Sequence, residues 1–150
     1  MVSTEIISQV ELFEGLPRRQ LSKVAEFFEE ESYSRGALIF NEGDPAECLY
    51  VLLEGKVAIR LHLSSRPESV TVAMLEQTYE TFGWSSLVAP YYYTASALCE
   101  DNCKVLSISG LDLIGILEQE PASGFEVMRK ITEVIGSRLR NSRMVLLKSL

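Results

Sequence analysis

The sequence predicts a mainly β fold, a sandwich or barrel-like roll of short strands with helices before and after it. Between Tyr33 and Ile108 the apolar residues follow a period of two, and turn signals recur at short intervals. On either side of this region the apolar residues follow the helical period. The 150 residues, 47% of them apolar, suit one well-packed domain. We therefore expect N-terminal helices at 1–31, a β-roll at 32–109 and C-terminal helices at 110–150.

Two helices are predicted at the N-terminus. Thr4 can cap the first helix and Gly15 ends it. Pro17 suits the first turn of the second helix. The apolar residues of this second helix lie on one stripe, namely Leu21, Val24, Ala25 and Phe28. The same spacing places Glu26 and residues 29–31 on its outer face, so the stripe is expected to pack against a core.

The clearest strand lies at residues 56–63, where the side chains alternate in character. Its predicted buried face consists of Val57, Ile59, Leu61 and Leu63. Its predicted solvent face consists of Lys56, Ala58, Arg60 and His62. Short turn sequences separate the predicted strands; they are Arg35-Gly36, Glu42 to Pro45, Glu54-Gly55, Ser64 to Pro67 and Asp101-Asn102.

A long helix is predicted at the C-terminus. After Ser109-Gly110, a short helical turn leads to Pro121, and the helical pattern then continues to the end of the chain. Its stripe is spaced by threes and fours, through Phe125, Met128, Ile131, Ile135, Leu139, Ser142, Val145 and Ser149. Such heptad-like spacing favours pairing with another helix. We expect a homodimer through residues 122–150, with packing of the helix on its own domain as the alternative.

The charges are unevenly distributed. Of a net charge of -7, residues 1–127 contribute 8 basic and 20 acidic side chains, and residues 128–150 contribute 6 basic and 1 acidic. An acidic domain repels nucleic acid, so we interpret the basic segment as the solvated face of the last helix. The chain also ends at Leu150 without room for a helix-turn-helix domain. We therefore expect no sequence-specific DNA binding.

Targeting signals and cysteine spacing indicate the cellular compartment of the protein. The sequence contains no run of 18 apolar residues and no signal peptide. Its three cysteines form no CxxC motif, which suits a reducing compartment. These features predict a cytoplasmic protein that does not bind membranes.

Catalytic and metal-binding motifs are missing from the sequence. No nucleophile is paired with a base, and no Walker or Rossmann spacing occurs. His62 is the single histidine and falls on the predicted solvent face of its strand. We expect no enzymatic activity, no metal site and no cofactor.

The segments Phe82 to Ser86 and Tyr93-Thr94-Ala95 have the layout of a phosphate-holding loop. A glycine followed by small hydroxyl residues at the start of a helical turn directs backbone N–H groups toward an anion. The later Thr-Ala pair can add a hydroxyl and another N–H. No Lys or Arg lies between Arg66 and Lys104, however. The loop therefore has the frame of an anion site without its cation.

In this order, the segments resemble the cyclic-nucleotide-binding domain family of bacterial regulators, kinases and channels. Three segments carry the resemblance: residues 12–17, residues 36–46 followed by 49–57, and the pair of loop segments within 82–95. The resemblance implies an antiparallel jelly-roll β-barrel with helices at both ends and a ligand in the barrel mouth. It also implies that the C-terminal helix covers the ligand and forms the dimer interface.

Two charged residues of the family are replaced in this chain. In the family, a Glu after the Phe-Gly pair contacts the ribose and an Arg before the Thr-Ala or Ser-Ala pair clamps the cyclic phosphate. Trp84 and Tyr93 occupy those positions here. A charge-assisted hydrogen bond contributes about 1.5–3 kcal/mol, so loss of the Arg contact alone weakens binding by roughly tenfold to a few hundredfold. High-affinity binding of cyclic AMP or cyclic GMP is therefore not expected.

The family's base contact comes from the C-terminal helix, and the matching segment here includes Asn141, Ser142 and Arg143. Ser142 is the member expected to face the pocket. The full set of candidate ligand-binding residues is Phe82, Gly83, Trp84, Ser85, Ser86, Tyr93, Thr94, Ala95, Asn141, Ser142 and Arg143.

The sequence predicts a stand-alone, non-catalytic sensor or regulatory module that binds a small, nucleotide-like ligand. One alternative is a ligand-independent scaffold for dimerisation or protein interaction, in which Trp84 and Tyr93 fill the pocket. Another alternative is weak binding of cyclic nucleotides. An open cavity lined by Gly83 and Thr94 distinguishes the sensor from the scaffold.

Overall fold

The computed structural model describes residues 2–65 and 67–149. Short antiparallel strands form two sheets, and helices cover the first of them. The strands are β1 (Glu29–Tyr33), β2 (Leu38–Phe40), β3 (Cys48–Glu54), β4 (Val57–His62), β5 (Ser69–Leu75), β6 (Thr81–Phe82), β7 (Ser96–Cys99) and β8 (Cys103–Ser109). The α-helices are α1 (Thr4–Ser8), α2 (Arg18–Phe27), α3 (Gly110–Glu118) and α4 (Pro121–Ser149). Two 3₁₀ helices span Glu11–Phe13 and Trp84–Leu87.

The strands form two four-stranded sheets and not a closed barrel. The first sheet has the order β1-β8-β3-β6 and the second has the order β2-β7-β4-β5. Among the described strands, no ladder joins one sheet to the other. A closed barrel needs continuous hydrogen bonding around its circumference, and the edge strands β2 and β6 have only three and two residues. The prediction of antiparallel strands with helices before and after them is correct, and the predicted closed barrel is replaced by an open sandwich.

Strand β3 is buried on both faces and divides the core into two parts. Leu49 and Val51 belong to the core that the first sheet forms with the helices. Tyr50 and Leu52 belong to the core between the two sheets. Successive side chains of a strand point to opposite faces, so one strand supplies both cores.

The N-terminal helices differ from the prediction at three points. The first helix was predicted to end at Gly15, but α1 ends at Ser8 and the separate 3₁₀ helix Glu11–Phe13 follows. The cap of α1 is Ser3, whose hydroxyl accepts a hydrogen bond from the Ile6 N–H at 3.2 Å, and Thr4 is the first helical residue. The second helix ends at Phe27, and Glu29–Tyr33 form β1 along the edge of β8. If residues 29–31 were helical, the backbone N–H and C=O groups along this edge of β8 would lose their hydrogen-bond partners on β1. Pairing with β8 therefore overrides the helical spacing of these residues.

Strand β4 differs from simple alternation at Ala58. Both Val57 and Ala58 are fully buried, although Ala58 was predicted on the solvent face. The Cα partners of Ala58 are Met74 on β5 and Leu98 on β7. Directly opposed residues share a face, so these larger side chains flank the small alanine and shield it.

The buried face of α4 is offset from the predicted stripe. Gly124, Val127 and Ile131 are its buried residues, whereas Phe125 is 66% exposed. A Cβ on Gly124 would lie 2.6 Å from the Leu117 carbonyl oxygen, so α4 passes close to the end of α3 at this glycine. Residue 125 lies about 100° further around the helix and therefore points outward.

Within 2–65 and 67–149, no helix is long and apolar enough to cross a bilayer.

Candidate functional site

A cavity of about 300 Å³ lies between the second sheet, the 3₁₀ helix Trp84–Leu87 and helix α4. The β-sandwich contributes Phe40, Ile59, Leu61, Val72 and Ala73 to its wall. The two loop segments singled out in the sequence contribute Phe82, Gly83, Trp84, Ser85, Tyr93, Thr94 and Ala95. Helix α4 contributes Ile135, Arg138, Leu139 and Ser142. Segments far apart in the chain therefore enclose one space.

Three of the candidate ligand-binding residues lie outside this wall. Ser86 is buried, and its hydroxyl donates a hydrogen bond to the Gly83 carbonyl at 2.8 Å. Asn141 and Arg143 are exposed on α4 and do not line the cavity. Ser142, between them, does line it. A helix turns about 100° per residue, so neighbours along α4 cannot all face the same space.

Gly83 shapes the entrance to the 3₁₀ helix. Its φ of 83° lies in the left-handed region, which glycine adopts without strain. A Cβ at this position would lie 3.0 Å from the Cys48 carbonyl oxygen and 3.1 Å from the Tyr50 ring. The left-handed turn and the close approach to β3 both explain why the sequence has a glycine here.

Tyr93 forms part of the cavity wall and does not plug the cavity. Its ring stacks on Phe40, with the centroids 3.7 Å apart and the planes 11° from parallel. Its hydroxyl donates to the Cys48 carbonyl at 2.6 Å and accepts from the Cys48 N–H at 3.2 Å. Burial raises the pKa of Tyr93 to about 12. Because the hydroxyl is bonded to the β3 backbone, it is not directed at a ligand phosphate.

We expect the Tyr93→Phe variant to lose about 1–3 kcal/mol of unfolding free energy, because it leaves both buried backbone groups of Cys48 without this partner. Urea denaturation followed by circular dichroism measures the change. Tyr92→Phe is the matched control, since Tyr92 is 53% exposed and the same change there should stay within about 0.5 kcal/mol. Equal effects of the two variants would contradict a structural role for the buried hydroxyl.

Arg138 brings to the cavity a positive charge that the sequence analysis did not predict. Its side chain is 15% exposed, and its Nη2 donates to the Thr81 carbonyl at 2.9 Å. The guanidinium carbon lies 5.3 Å from the centre of the Trp84 ring, and the Glu80 carboxylate is 3.8 Å away. Desolvation lowers the pKa of Arg138, and Glu80 opposes that change. The contact with Trp84 is a cation–π interaction.

One signal in the sequence could have identified Arg138. It precedes Ser142 by four residues, and residues four apart lie on the same face of a helix. A helix that presents Ser142 to a pocket therefore presents Arg138 to it as well. The absence of Lys and Arg between Arg66 and Lys104 therefore does not leave the cavity without a cation.

The cavity combines an apolar wall with few polar groups. Ser85, Thr94 and Ser142 place hydroxyl-bearing residues in the wall, and Arg138 supplies the charge. In the described part of the chain, no group of three His, Cys, Asp or Glu side chains is placed to hold a metal ion. The arrangement is suited to binding a small molecule by apolar contact with a few oriented polar groups.

Comparisons with known proteins agree with this architecture. A family model described as the cyclic nucleotide-binding domain matches residues 30–120. One similar crystal structure is that of a Geobacter metallireducens GS-15 protein named for cyclic nucleotide binding. The two sequences are 34% identical and the structures superpose with a TM-score of 0.76, over 93% of this chain and 99% of the other. A cyclic nucleotide-binding domain from Methylobacillus flagellatus has the same fold, with a TM-score of 0.80 at 21% identity, over 98% of this chain and 82% of that one.

Among curated proteins, the Cyclic AMP receptor protein of Thermus thermophilus is 28% identical over 136 residues, which make up 90% of this chain and 60% of that protein. The chain spans between 32% and 60% of the lengths of the curated relatives that it matches first.

Proposed function

The chain belongs to the cyclic nucleotide-binding domain family. We propose that it is a non-catalytic regulatory module that senses a small ligand. We also propose that it binds cyclic nucleotides only weakly, so that its ligand is a different molecule. The observation that carries the proposal is an open cavity of about 300 Å³ at the family's ligand position, with a tyrosine where the phosphate-clamping arginine is expected. The ligand is expected to act by shifting α4, which forms one wall of the cavity.

The arrangement of the aromatic side chains supports a sensor over a plugged scaffold. The Tyr93 ring lies flat against Phe40 within the core between the sheets. Trp84 is half-buried and packs against the helical core, with the Arg138 guanidinium over its ring. Neither ring fills the space beside Gly83 and Thr94, because both of those residues still line the cavity.

The distribution of charge supports weak binding of cyclic nucleotides. The cavity wall between Phe82 and Ala95 contains no cation, and the Tyr93 hydroxyl is bonded to the backbone of Cys48. Arg138 is positive but lies on α4 and bonds the Thr81 carbonyl. The cyclic phosphate therefore lacks the loop-borne charge that contributes roughly tenfold to a few hundredfold in affinity.

Titration with cyclic AMP and cyclic GMP tests this proposal. Trp84 is the only tryptophan and lines the cavity, so its fluorescence reports occupancy directly. The variant Tyr93→Arg restores the missing cation and is expected to bind cyclic AMP about tenfold to a hundredfold more tightly than the wild type. Tyr92→Arg, which adds the same charge at an exposed neighbouring position, should bind like the wild type.

A folded Tyr93→Arg protein with unchanged affinity would contradict this explanation of weak binding. Melting temperatures show which variants are folded. If Tyr93→Arg does not fold, the wild type alone decides the question, because saturation at micromolar cyclic AMP would overturn the proposal.

The outer face of α4 supports the homodimer predicted through residues 122–150. Phe125, Leu139 and Leu147 are 66%, 67% and 61% exposed, and Leu139 also borders the cavity. Phe125 and Leu139 are 14 residues apart, and Leu139 and Leu147 are eight residues apart. These separations place all three side chains on one side of the helix. Such a row of exposed apolar side chains is typical of a helix that packs against a second copy.

A further inference from the structure

Arg138 is the only charged residue in the cavity wall, as far as the described residues define that wall. Its guanidinium carries five N–H donors, and within 2–65 and 67–149 one hydrogen bond is formed, to the Thr81 carbonyl at 2.9 Å. The nearest carboxylate oxygen, on Glu80, is 3.8 Å away, which is beyond hydrogen-bonding distance. Arg138, whose side chain is 85% buried, therefore lies in the wall of this cavity with spare donors. It also lies in the wall of a second cavity, together with Thr81 and Glu80.

The rest of the wall is suited to an apolar group. Ile59, Leu61 and Val72 line the side of the second sheet, and the stacked rings of Phe40 and Tyr93 lie next to them. A charged ligand group against this part of the wall would lose its hydration without gaining a partner. The cavity, at about 300 Å³, is at the small end of the range for small-molecule sites.

On the premise that the cavity binds a ligand, as proposed above, we infer that the ligand is a small apolar monocarboxylate. Its carboxylate is held by Arg138 on α4, and its apolar body lies against Ile59, Leu61 and Val72. A planar carboxylate matches the fork of a guanidinium through two parallel hydrogen bonds. A single cation with Glu80 nearby balances one negative charge at most, so a doubly charged phosphate fits poorly.

This assignment places the anion partner on α4 and not on the loop that contains Gly83. The ligand charge then binds the helix directly, so occupancy stabilises the docked position of α4. The apolar body of the ligand stays on the side of the sandwich. The same helix carries the exposed row of apolar side chains proposed for dimerisation. Ligand binding would therefore affect the dimer interface through the position of α4.

The test compares 3-phenylpropionate with its neutral amide, 3-phenylpropionamide, in titrations of Trp84 fluorescence with the full chain. The two probes share the same apolar body and differ in charge. The carboxylate is expected to bind wild type at least about tenfold more tightly than the amide. Arg138→Gln should bind both probes equally. Arg140→Gln, an exposed charge removal on the same helix, should keep the wild-type preference.

A second variant separates charge from helix packing. Arg138→Lys keeps the positive charge and is expected to retain part of the preference for the carboxylate, even if α4 docks less firmly. Equal binding of the acid and the amide by wild type, or an undiminished preference in Arg138→Gln, would overturn the inference. In either case saturable binding of the amide still supports the cavity as a ligand site. If neither probe binds at millimolar concentration, the carboxylate assignment is wrong. The proposed ligand-sensing function is tested separately by the cyclic AMP titration described above, where saturation of the wild type at micromolar concentration would overturn it.

Discussion

Replacing Gly110 by Ala should lower the free energy of unfolding by about 3 kcal/mol. The added methyl carbon would lie 2.1 Å from the Ser86 carbonyl oxygen and 2.7 Å from its carbonyl carbon. Both are backbone atoms, which cannot swing aside as the end of a flexible side chain does. The Gly110 N–H also donates to the Glu47 carbonyl at 2.9 Å, so the start of α3 cannot retreat without breaking that bond. Urea denaturation measures the loss.

Gly115 provides a control within the same helix. No atom lies within 4 Å of a Cβ built at this position, so Gly115→Ala should raise the unfolding free energy by roughly 0.5–1 kcal/mol through helix propensity. The two glycine-to-alanine changes are therefore expected to have opposite signs. A similar loss in both variants would contradict the close contact between α3 and the 3₁₀ helix of the cavity.

Changing Phe125 and Leu147 together to Glu should convert a dimer into a monomer of 16.8 kDa. Both side chains are exposed on the outer face of α4, and neither lines the cavity. Burying two carboxylates in an apolar interface without partners is expected to weaken the dimer by at least about a hundredfold, equivalent to about 2.7 kcal/mol. Size-exclusion chromatography with light scattering measures the mass directly.

Leu111→Glu is the control for this change. Leu111 is 75% exposed on α3, so a carboxylate there should leave the mass of the assembly unchanged. A wild-type protein that elutes as a 16.8 kDa monomer at micromolar concentration would contradict dimerisation through α4.

Local features of the fold were predictable from the sequence because they depend on near neighbours. The helical turn that follows Gly83 and the helical spacing at Val24 and Ala25 are examples. The strand at Glu29–Tyr33 was not predictable in this way. Its partner is β8, at least 70 residues later in the chain, and its local pattern of glutamates suited the outer face of a helix.

The candidate site likewise contains residues that could be predicted from the sequence and one residue that could not. The sequence identified the loop residues Gly83 and Thr94 and the helix residue Ser142, all of which line the cavity. Arg138 was not predicted, because the family resemblance implies a cation in the loop before Thr94 and not on the C-terminal helix. In this chain the charge reaches the cavity from α4, 57 residues after its hydrogen-bond partner Thr81.

The family and the antiparallel sheets with flanking helices could be predicted from the sequence alone. The sequence also has Trp84 and Tyr93 at the two positions where the family resemblance implies charged residues. These follow from residue identity and short-range spacing, which a chain carries before it folds. Whether the cavity is open could not be predicted in this way, because it depends on where Tyr93 and Trp84 pack in the folded chain. The Tyr93 hydroxyl bonds the backbone of Cys48, 45 residues away in the chain, and α4 places Arg138 beside Trp84. Contacts over such separations form only when the sheets and helices are assembled, because packing and not local propensity selects them.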